Sequence, residues 1–433
     1  MSGTILIPSA SSTDHLEALA EVSQFGKTSL GHSEEAGTWT YRKLAEPYLT
    51  SELARQAKPH TVAFSDAVTF QPCPPHVSEN QDRYLIQQWD LPDGRWTFCT
   101  VLDGHLNRYT VDYVKDRLPV GIKNTLQQAI LARGRSSRMS SASISKILSD
   151  AVTGLDNALT SDFMRLVPDL TRPGRTETLP ESNVRRVFDK RSSNYVAAAR
   201  CLGGSTVVAS LIDPQTRNLW VVNLGDCRAV LAQQDAPGTR WRGTPLVPVH
   251  NAHDQREVRR IRKEHPTEPT CVREGRVLDF LEPTRGIGDT WLKIPAAYTR
   301  EVFSKISQKW IPPESLVAHA EHILTPPYVS NTPEVLHRPL SNAPGCSLLI
   351  LCSDGLVDLY DTNIPHANLP SHWAGIVGQT FTTGPDNLAA SLLRDALGGD
   401  DLDKVSQVLT VEMDEDRWID DTTIIVQRLY ERR

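Results

Sequence analysis

Two stretches of this chain share one design, an apolar run that stops at an acid followed by glycine. Phe98-Cys-Thr-Val-Leu102 runs into Asp103-Gly104-His105, and Ser347-Leu-Leu-Ile-Leu-Cys352 runs, one serine later, into Asp354-Gly355. Short apolar runs of this kind read as buried strands, and the acid sits where the chain leaves the sheet. Asp and Gly are common turn formers, so one such exit would mean little. Their recurrence limits the fold to one whose strand ends can gather acids.

Further acids occupy equivalent places. Tyr84 to Trp89, the turn Leu91-Pro-Asp-Gly94 and the return Trp96 to Leu102 read as a hairpin, which brings Asp82 and Asp103 to the same end of neighbouring strands. A second hairpin pairs Ser205–Asp213 with Leu219–Leu231 and carries Asp226 in the middle of its return strand, beside Gly225, where an irregular backbone is allowed. Trp418 to Val426 reverses the order, with Asp420 and Asp421 leading into a strand. Helical patterns cover Tyr109–Leu118, Ile122–Leu131, Ile144–Leu159, His253–His265 and Ala389–Leu397. Ser11 to Pro59 reads as helices and turns, with Tyr41, Leu44, Tyr48, Leu49 and Leu53 at helical spacing. Gly134–Ser143 and Pro168–Arg191 read as loops. The expected organisation is an extension over residues 1–70, packed on a main domain over 71–433 that carries a helical and loop insertion around 130–192.

Composition narrows the partners. A net charge of −6 argues against a general electrostatic footprint for nucleic acid. No apolar run approaches the roughly 18 residues of a membrane span, so none is expected. Seven cysteines without a CxxC pair read as reduced thiols. The first residues lack a basic, long-apolar signal and are soon followed by Asp14, Glu17 and Glu21. The expected location is cytoplasmic, with mitochondrial as the alternative.

If these strands share one sheet system, Asp82, Asp103, Asp226, Asp354 and Asp420 converge into an oxygen-rich site. Hard oxygen ligands without Cys or His at zinc spacing favour Mg²⁺ or Mn²⁺. Converging carboxylates repel unless cations neutralise them, and paired divalent ions can clamp a phosphate and acidify water. His105, beside an acid and a glycine, is either a core-edge histidine or a proton donor to a leaving oxygen. Arg285 and Asp289 read as an exposed ion pair or as part of the site.

Val101-Leu-Asp-Gly-His105, Gly204-Ser-Thr206, Asn223-Leu-Gly-Asp-Cys-Arg-Ala229, Thr284-Arg-Gly-Ile-Gly-Asp289, Pro333-Glu-Val335, Cys352-Ser-Asp-Gly-Leu-Val-Asp358 and Asp420-Asp-Thr-Thr423 resemble, in order and spacing, the motifs of the PPM-type (type 2C) metal-dependent protein phosphatases. The resemblance covers about Gln81 to Leu429. Asn80-Gln-Asp-Arg83 and the segment His250–Pro266 look most like the branch that contains pyruvate dehydrogenase phosphatase.

The resemblance implies an α+β fold, a four-layer α-β-β-α sandwich of two antiparallel sheets flanked by helices. It also implies two or three Mg²⁺ or Mn²⁺ ions and hydrolysis of phosphoserine or phosphothreonine in a phosphoprotein by direct attack of metal-activated water. By position, Asp103 resembles the bridging metal ligand, and Gly104 offers its carbonyl. Asp354 and Asp420 resemble the other principal ligands, Asp226 an acid of a third ion and Asp289 a further acid of the metal site. Asp82 matches an acid that holds water, and His105 matches the general acid.

The chain also departs from the family pattern. Leu106-Asn107 stand where a small residue and glycine are usual, and Val77 stands where a phosphate-binding Arg lies, with Arg83 as a substitute. Asp421 stands where Asn is common. These departures motivate an alternative, a catalytically weak pseudophosphatase that binds phosphoprotein. A metal-dependent nuclease is disfavoured by charge and motif order.

Overall fold

A computed structural model describes residues 24–30, 38–133, 139–167, 169–171, 187–213, 218–234, 236, 238, 240–306, 312–340, 346–360, 364–413 and 417–429. The expected hairpin is its first organising unit. Strand β5 (Arg83–Leu91) pairs antiparallel with β6 (Gly94–Leu102), from Arg83 opposite Leu102 to Leu91 opposite Gly94. Gly94, at φ 140°, closes the turn, and Trp96 Nε1 donates to Asp93 Oδ1 across it at 2.9 Å.

Among the described residues, β5 and β6 belong to a five-stranded sheet completed by β9 (Val207–Asp213), β10 (Asn218–Leu224) and β16 (Glu334–Pro339), in the order β16-β10-β9-β6-β5. A six-stranded sheet is made of β3 (His60–Val62), β4 (Ser65–Phe70), β11 (Arg228–Gln234), β12 (Arg242–Pro245), β17 (Cys346–Cys352) and β18 (Thr422–Arg428), in the order β12-β11-β17-β18-β4-β3. All these neighbours pair antiparallel. Strands β3 and β4 fall within residues 1–70, expected as an extension; β4 pairs with β18 along its length and so lies inside the sheet.

The layers follow from where the apolar faces point. Val101, Val208, Val221, Ala229, Leu349, Leu351 and Ile425 are buried between the two sheets. On the outer face of the five-stranded sheet, Phe98, Leu211 and Trp220 pack with the helices Arg108–Arg133, Ser141–Leu166 and Ser193–Leu202. On the outer face of the other, Val68, Ile350 and Val426 pack with Tyr48–Ala57, Leu369–Thr383, Leu388–Leu397 and Leu402–Thr410. This is the helix–sheet–sheet–helix sandwich implied by the motifs. Each fully buried Val, Leu or Phe in it contributes about 1.5–3 kcal/mol.

Three local expectations change. Tyr41 lies in a strand, Trp39–Arg42, paired with Phe25–Thr28, so the helical spacing assigned through it starts only at Tyr48. The two helical stretches after His105 are one helix, Arg108–Arg133, with Pro119 inside. The next helix begins at Ser141, because Ser140 accepts a hydrogen bond from the Ser143 amide as its N-cap. Of the expected loops, residues 134–138, 168 and 172–186 lie outside the described residues. Among those described, no helix is long and apolar enough to cross a membrane, and the seven cysteines form no disulfide.

Candidate metal centre

Asp103, Asp226 and Asp354 meet at one end of the sandwich, each offering a carboxylate oxygen within 4.8 Å of the others. Asp103 follows β6 in one sheet and Asp354 follows β17 in the other, so face-to-face packing brings their ends together. Asp226 arrives differently from expected. The apolar run Leu219–Leu231 is not one return strand: it divides into β10 of the five-stranded sheet and β11 of the six-stranded sheet, and Asp226 sits where the chain crosses between them.

That crossing is tightly specified. Gly225 has φ 115°, and a Cβ there would overlap Thr206. Its carbonyl accepts from Asn223 Nδ2 at 3.0 Å and from the His250 amide at 2.9 Å, while its own amide donates to His250 Nδ1 at 3.2 Å. Burial, reinforced by the Arg285 guanidinium, pushes His250 down to about 3, so the ring stays neutral and its Nδ1 accepts. Glycine after the other two acids has a similar steric reason. A Cβ at Gly104 would stand 2.7 Å from the Gln81 carbonyl, and one at Gly355 would overlap the Asp421 carbonyl.

Asp82 and Asp420 flank this group. Asp82 is buried; its Oδ2 accepts from Ser353 Oγ at 2.7 Å, and Ser353 Oγ in turn accepts from the Thr423 amide at 2.9 Å. Asp420 accepts from its neighbour's amide, Asp421 N, at 2.7 Å and is ion-paired with Arg417. Asp421, the unusual extra acid, is used structurally: it accepts from the Gln81 amide and from Gln71 Nε2, both at 2.8 Å. It thereby fastens the segment before β5 to the start of β18. Arg417, a cation three residues before Asp420, is a residue of this centre to which strand-end acids alone do not point.

The electrostatics demand a counter-charge. Burial, followed by the repulsion of neighbouring carboxylates, holds Asp82, Asp103 and Asp354 well above the usual carboxylate range. Burial and then Glu282 push Asp226 up to about 7. Asp82 Oδ1 and Asp226 Oδ1 are buried with no hydrogen-bond partner among the described residues. Hard, anionic, partly unpartnered oxygens without a thiol or imidazole among them fit Mg²⁺ or Mn²⁺.

His105 and Asp289 form a separate unit. His105 belongs to β7 (Gly104–His105), which pairs with β8 (Gly204–Ser205), which pairs with β15 (Ile287–Gly288). This small sheet places His105 Nε2 2.8 Å from Asp289 Oδ1. Asp289 thus joins the histidine and not the three-carboxylate group. Burial works to lower the His105 pKa, but Asp289, aided by Asp354 and Asp420, outweighs it and leaves the pKa raised. Gly204 is required here, since a Cβ would overlap both His105 Nε2 and Asp289 Oδ2. Beneath the unit, buried Asp156 accepts from the Gly288 amide at 2.8 Å, Lys293 Nζ at 2.9 Å and Asn331 Nδ2 at 2.9 Å.

The remaining departures have local explanations. Leu106 takes φ 67° and packs against the apolar cluster, while Asn107 Oδ1 accepts from the Tyr109 amide at 2.9 Å and its Nδ2 donates to the Ala199 carbonyl at 3.0 Å. A leucine and an asparagine therefore do the turning for which glycine suffices. Arg285 does not pair with Asp289; it pairs with Glu257, Nη2 to Oε1 at 2.6 Å. Arg83 Nε lies 2.7 Å from Asp112 Oδ1, and its Nη1 donates to the Asn80 and Asp82 carbonyls, so its guanidinium braces the start of β5. Val77 is buried.

Comparison with known proteins agrees with this architecture. Residues 79–364 match the family model for protein phosphatase 2C. A protein phosphatase 2C homolog of Schizosaccharomyces pombe is 25% identical over 389 residues, covering 84% of this chain and 79% of that protein. The mitochondrial pyruvate dehydrogenase (acetyl-transferring) phosphatase 2 of Homo sapiens is 30% identical over 210 residues, covering 47% of this chain. Phosphatase 1 of the same name from Saccharomyces cerevisiae is 31% identical over 222 residues, covering 51% of this chain. The chain spans only 36% of the length of each of these two relatives. The crystal structure of serine-threonine phosphatase 2C from Toxoplasma gondii shares the fold, with a TM-score of 0.51 at 15% identity, over 86% of this chain and 96% of that one. The chain belongs to the protein phosphatase 2C family, the metal-dependent protein serine/threonine phosphatases.

Proposed function

We propose that Asp103, Asp226, Asp354 and Asp420, with the Gly104 carbonyl, hold two or three Mg²⁺ or Mn²⁺ ions and that the protein hydrolyses phosphoserine and phosphothreonine in phosphoprotein substrates. The observation that carries this reading is the convergence of three carboxylates within 4.8 Å, with a buried Asp226 oxygen left unpartnered. Bound there, the cations supply Lewis-acid stabilisation of the phosphoryl group and acidify water, so that a nucleophile exists near neutral pH.

The chain's own residues supply the rest. Asp82, fixed at one oxygen by Ser353, presents the other to orient water. His105, its proton retained by Asp289 at 2.8 Å, delivers that proton to the departing seryl or threonyl oxygen. We further propose a cytoplasmic location, with mitochondria, as named for two relatives, as the alternative that cell fractionation separates.

A phosphothreonine peptide incubated with Mn²⁺, with chelator, and with the Asp103→Ala variant tests it. Turnover should require the metal and fall by about two orders of magnitude or more in the variant. Equal, metal-independent rates for wild type and variant would leave a phosphoprotein-binding pseudophosphatase instead.

A further inference from the structure

A cleft of about 560 Å³ opens beside the metal centre and is built partly from residues outside the matched family region 79–364. It lies on the open side of the sandwich, between β3 and β5, the edge strands of the two sheets. Asp82 lines it, so the cleft reaches the centre. Tyr84 Oη lies 3.1 Å from His60 Nδ1, which ties the two edges together.

Its charge is opposite to that of the centre. Lys58, Arg83 and Lys115 line it, and Asp82 is the one carboxylate among the described lining residues. Asp112 neutralises Arg83. Among the described residues, no carboxylate forms an ion pair with Lys58 or Lys115. Lys58 is positioned by the backbone: it caps the Tyr48–Ala57 helix at φ 48°, donating its amide to the Ala54 carbonyl. Lys115 projects from the helix Arg108–Arg133 on the other bank.

We propose that this cleft binds an acidic stretch of the phosphoprotein substrate, next to the phosphorylated residue, and so selects substrates; the proposal rests on the phosphatase reading. Two edge strands flank a path for an extended chain, and two lysines without a carboxylate partner among the described residues offer charge to its carboxylates. The adjoining acids of the centre favour a peptide with scattered negative charge over a continuous polyanion such as nucleic acid.

The test compares two phosphothreonine peptides of equal length, one flanked by Asp and Glu and one by Ser and Ala, with Mn²⁺ at low salt. The wild type should favour the acidic peptide in kcat/KM, and Lys58→Glu combined with Lys115→Glu should reduce that ratio by about tenfold. Lys263→Glu, an exposed lysine outside the cleft, should leave the ratio alone. In parallel, fluorescence anisotropy of the unphosphorylated acidic peptide on metal-free protein should show binding that weakens by about tenfold in the double variant and in high salt. Thermal melts of the variants check that they fold. A wild type without preference, or a ratio and anisotropy unmoved by the double variant, overturns the cleft. Anisotropy that responds as expected without turnover of either peptide supports the cleft and overturns the phosphatase reading.

Discussion

In metal-free protein, Asp226→Asn should change sign as a stability mutation between acid and mildly alkaline pH. Burial and Glu282 carry the Asp226 carboxyl from its ordinary 3.8 to about 7. Below about pH 4 the group is protonated in the folded and unfolded chain, and it costs nothing. Between about 4 and 7 the folded protein keeps a proton that the unfolded chain releases, so stability falls as pH rises. Above about 7 the penalty is complete, and at about 1.4 kcal/mol per pH unit it reaches about 4 kcal/mol. Asparagine has no such penalty, but it buries an amide where Asp226 Oδ1 has no partner, at about 1–3 kcal/mol at every pH. The variant should therefore be less stable than wild type near pH 4.5 and more stable, by about 1–3 kcal/mol, at pH 8.

Urea unfolding in chelator across that range measures the difference directly, and its slope with pH is independent of the amide cost. Adding millimolar Mn²⁺ at pH 8 should restore the advantage of the wild type, because bound cations remove the repulsion that the variant had relieved. A stability difference that does not move with pH, or moves toward the wild type as pH rises, refutes the account of the centre as a set of carboxylates short of positive charge.

Three other substitutions probe the surrounding structure. Lys293→Met strands the Asp156 carboxylate in the interior and should cost about 3–5 kcal/mol in urea unfolding; a loss below about 1 kcal/mol would mean that the Gly288 amide and Asn331 hold the charge unaided. Gly204→Ala should separate His105 from Asp289, lowering turnover at least about tenfold and shifting the alkaline limb of the pH–rate profile, while Mn²⁺ affinity by calorimetry stays within about twofold. Arg417→Ala removes the cation that competes for Asp420, so Mn²⁺ should bind about fivefold more tightly, worth roughly 1 kcal/mol for a partly exposed pair. Weaker binding in that variant would show that Arg417 organises the centre instead of opposing the ion.

What was legible in the sequence was local. The apolar runs before Asp103 and Asp354 end within one or two residues of the acid, so strand and exit are written side by side. The hairpin joining Asp82 to Asp103 is equally local, a turn between adjacent strands. Asp226 reads as the middle of one return strand because Leu219–Val222 and Ala229–Leu231 are apolar on either side of it; an apolar run does not say which sheet it serves, and Gly225 alone marks the crossing. Tyr41 shares the helical spacing of Leu44 and Tyr48, but its pairing, with Gly26 of the strand Phe25–Thr28, lies outside that pattern. Partner choice was least legible of all: Arg285 takes Glu257 and Asp289 takes His105 because of distances set by the whole fold.

The separation of His105 from the carboxylate group follows from the same geometry and bears on how both can work. Asp103 and His105 are two residues apart, yet the first follows β6 of the five-stranded sheet and the second lies in the small sheet with Gly204 and Ile287–Gly288. Gly104, pressed against the Gln81 carbonyl and Val111, makes that change of sheet possible. An imidazole among the carboxylates would itself become a cation ligand and lose its proton at working pH. Held instead by Asp289, which lies outside the three-carboxylate group, His105 keeps a raised pKa whose main support survives when the other acids are neutralised. The spacing Asp-Gly-His thus lets one short segment serve two opposed electrostatic needs, negative charge for cations on one side and a retained proton on the other.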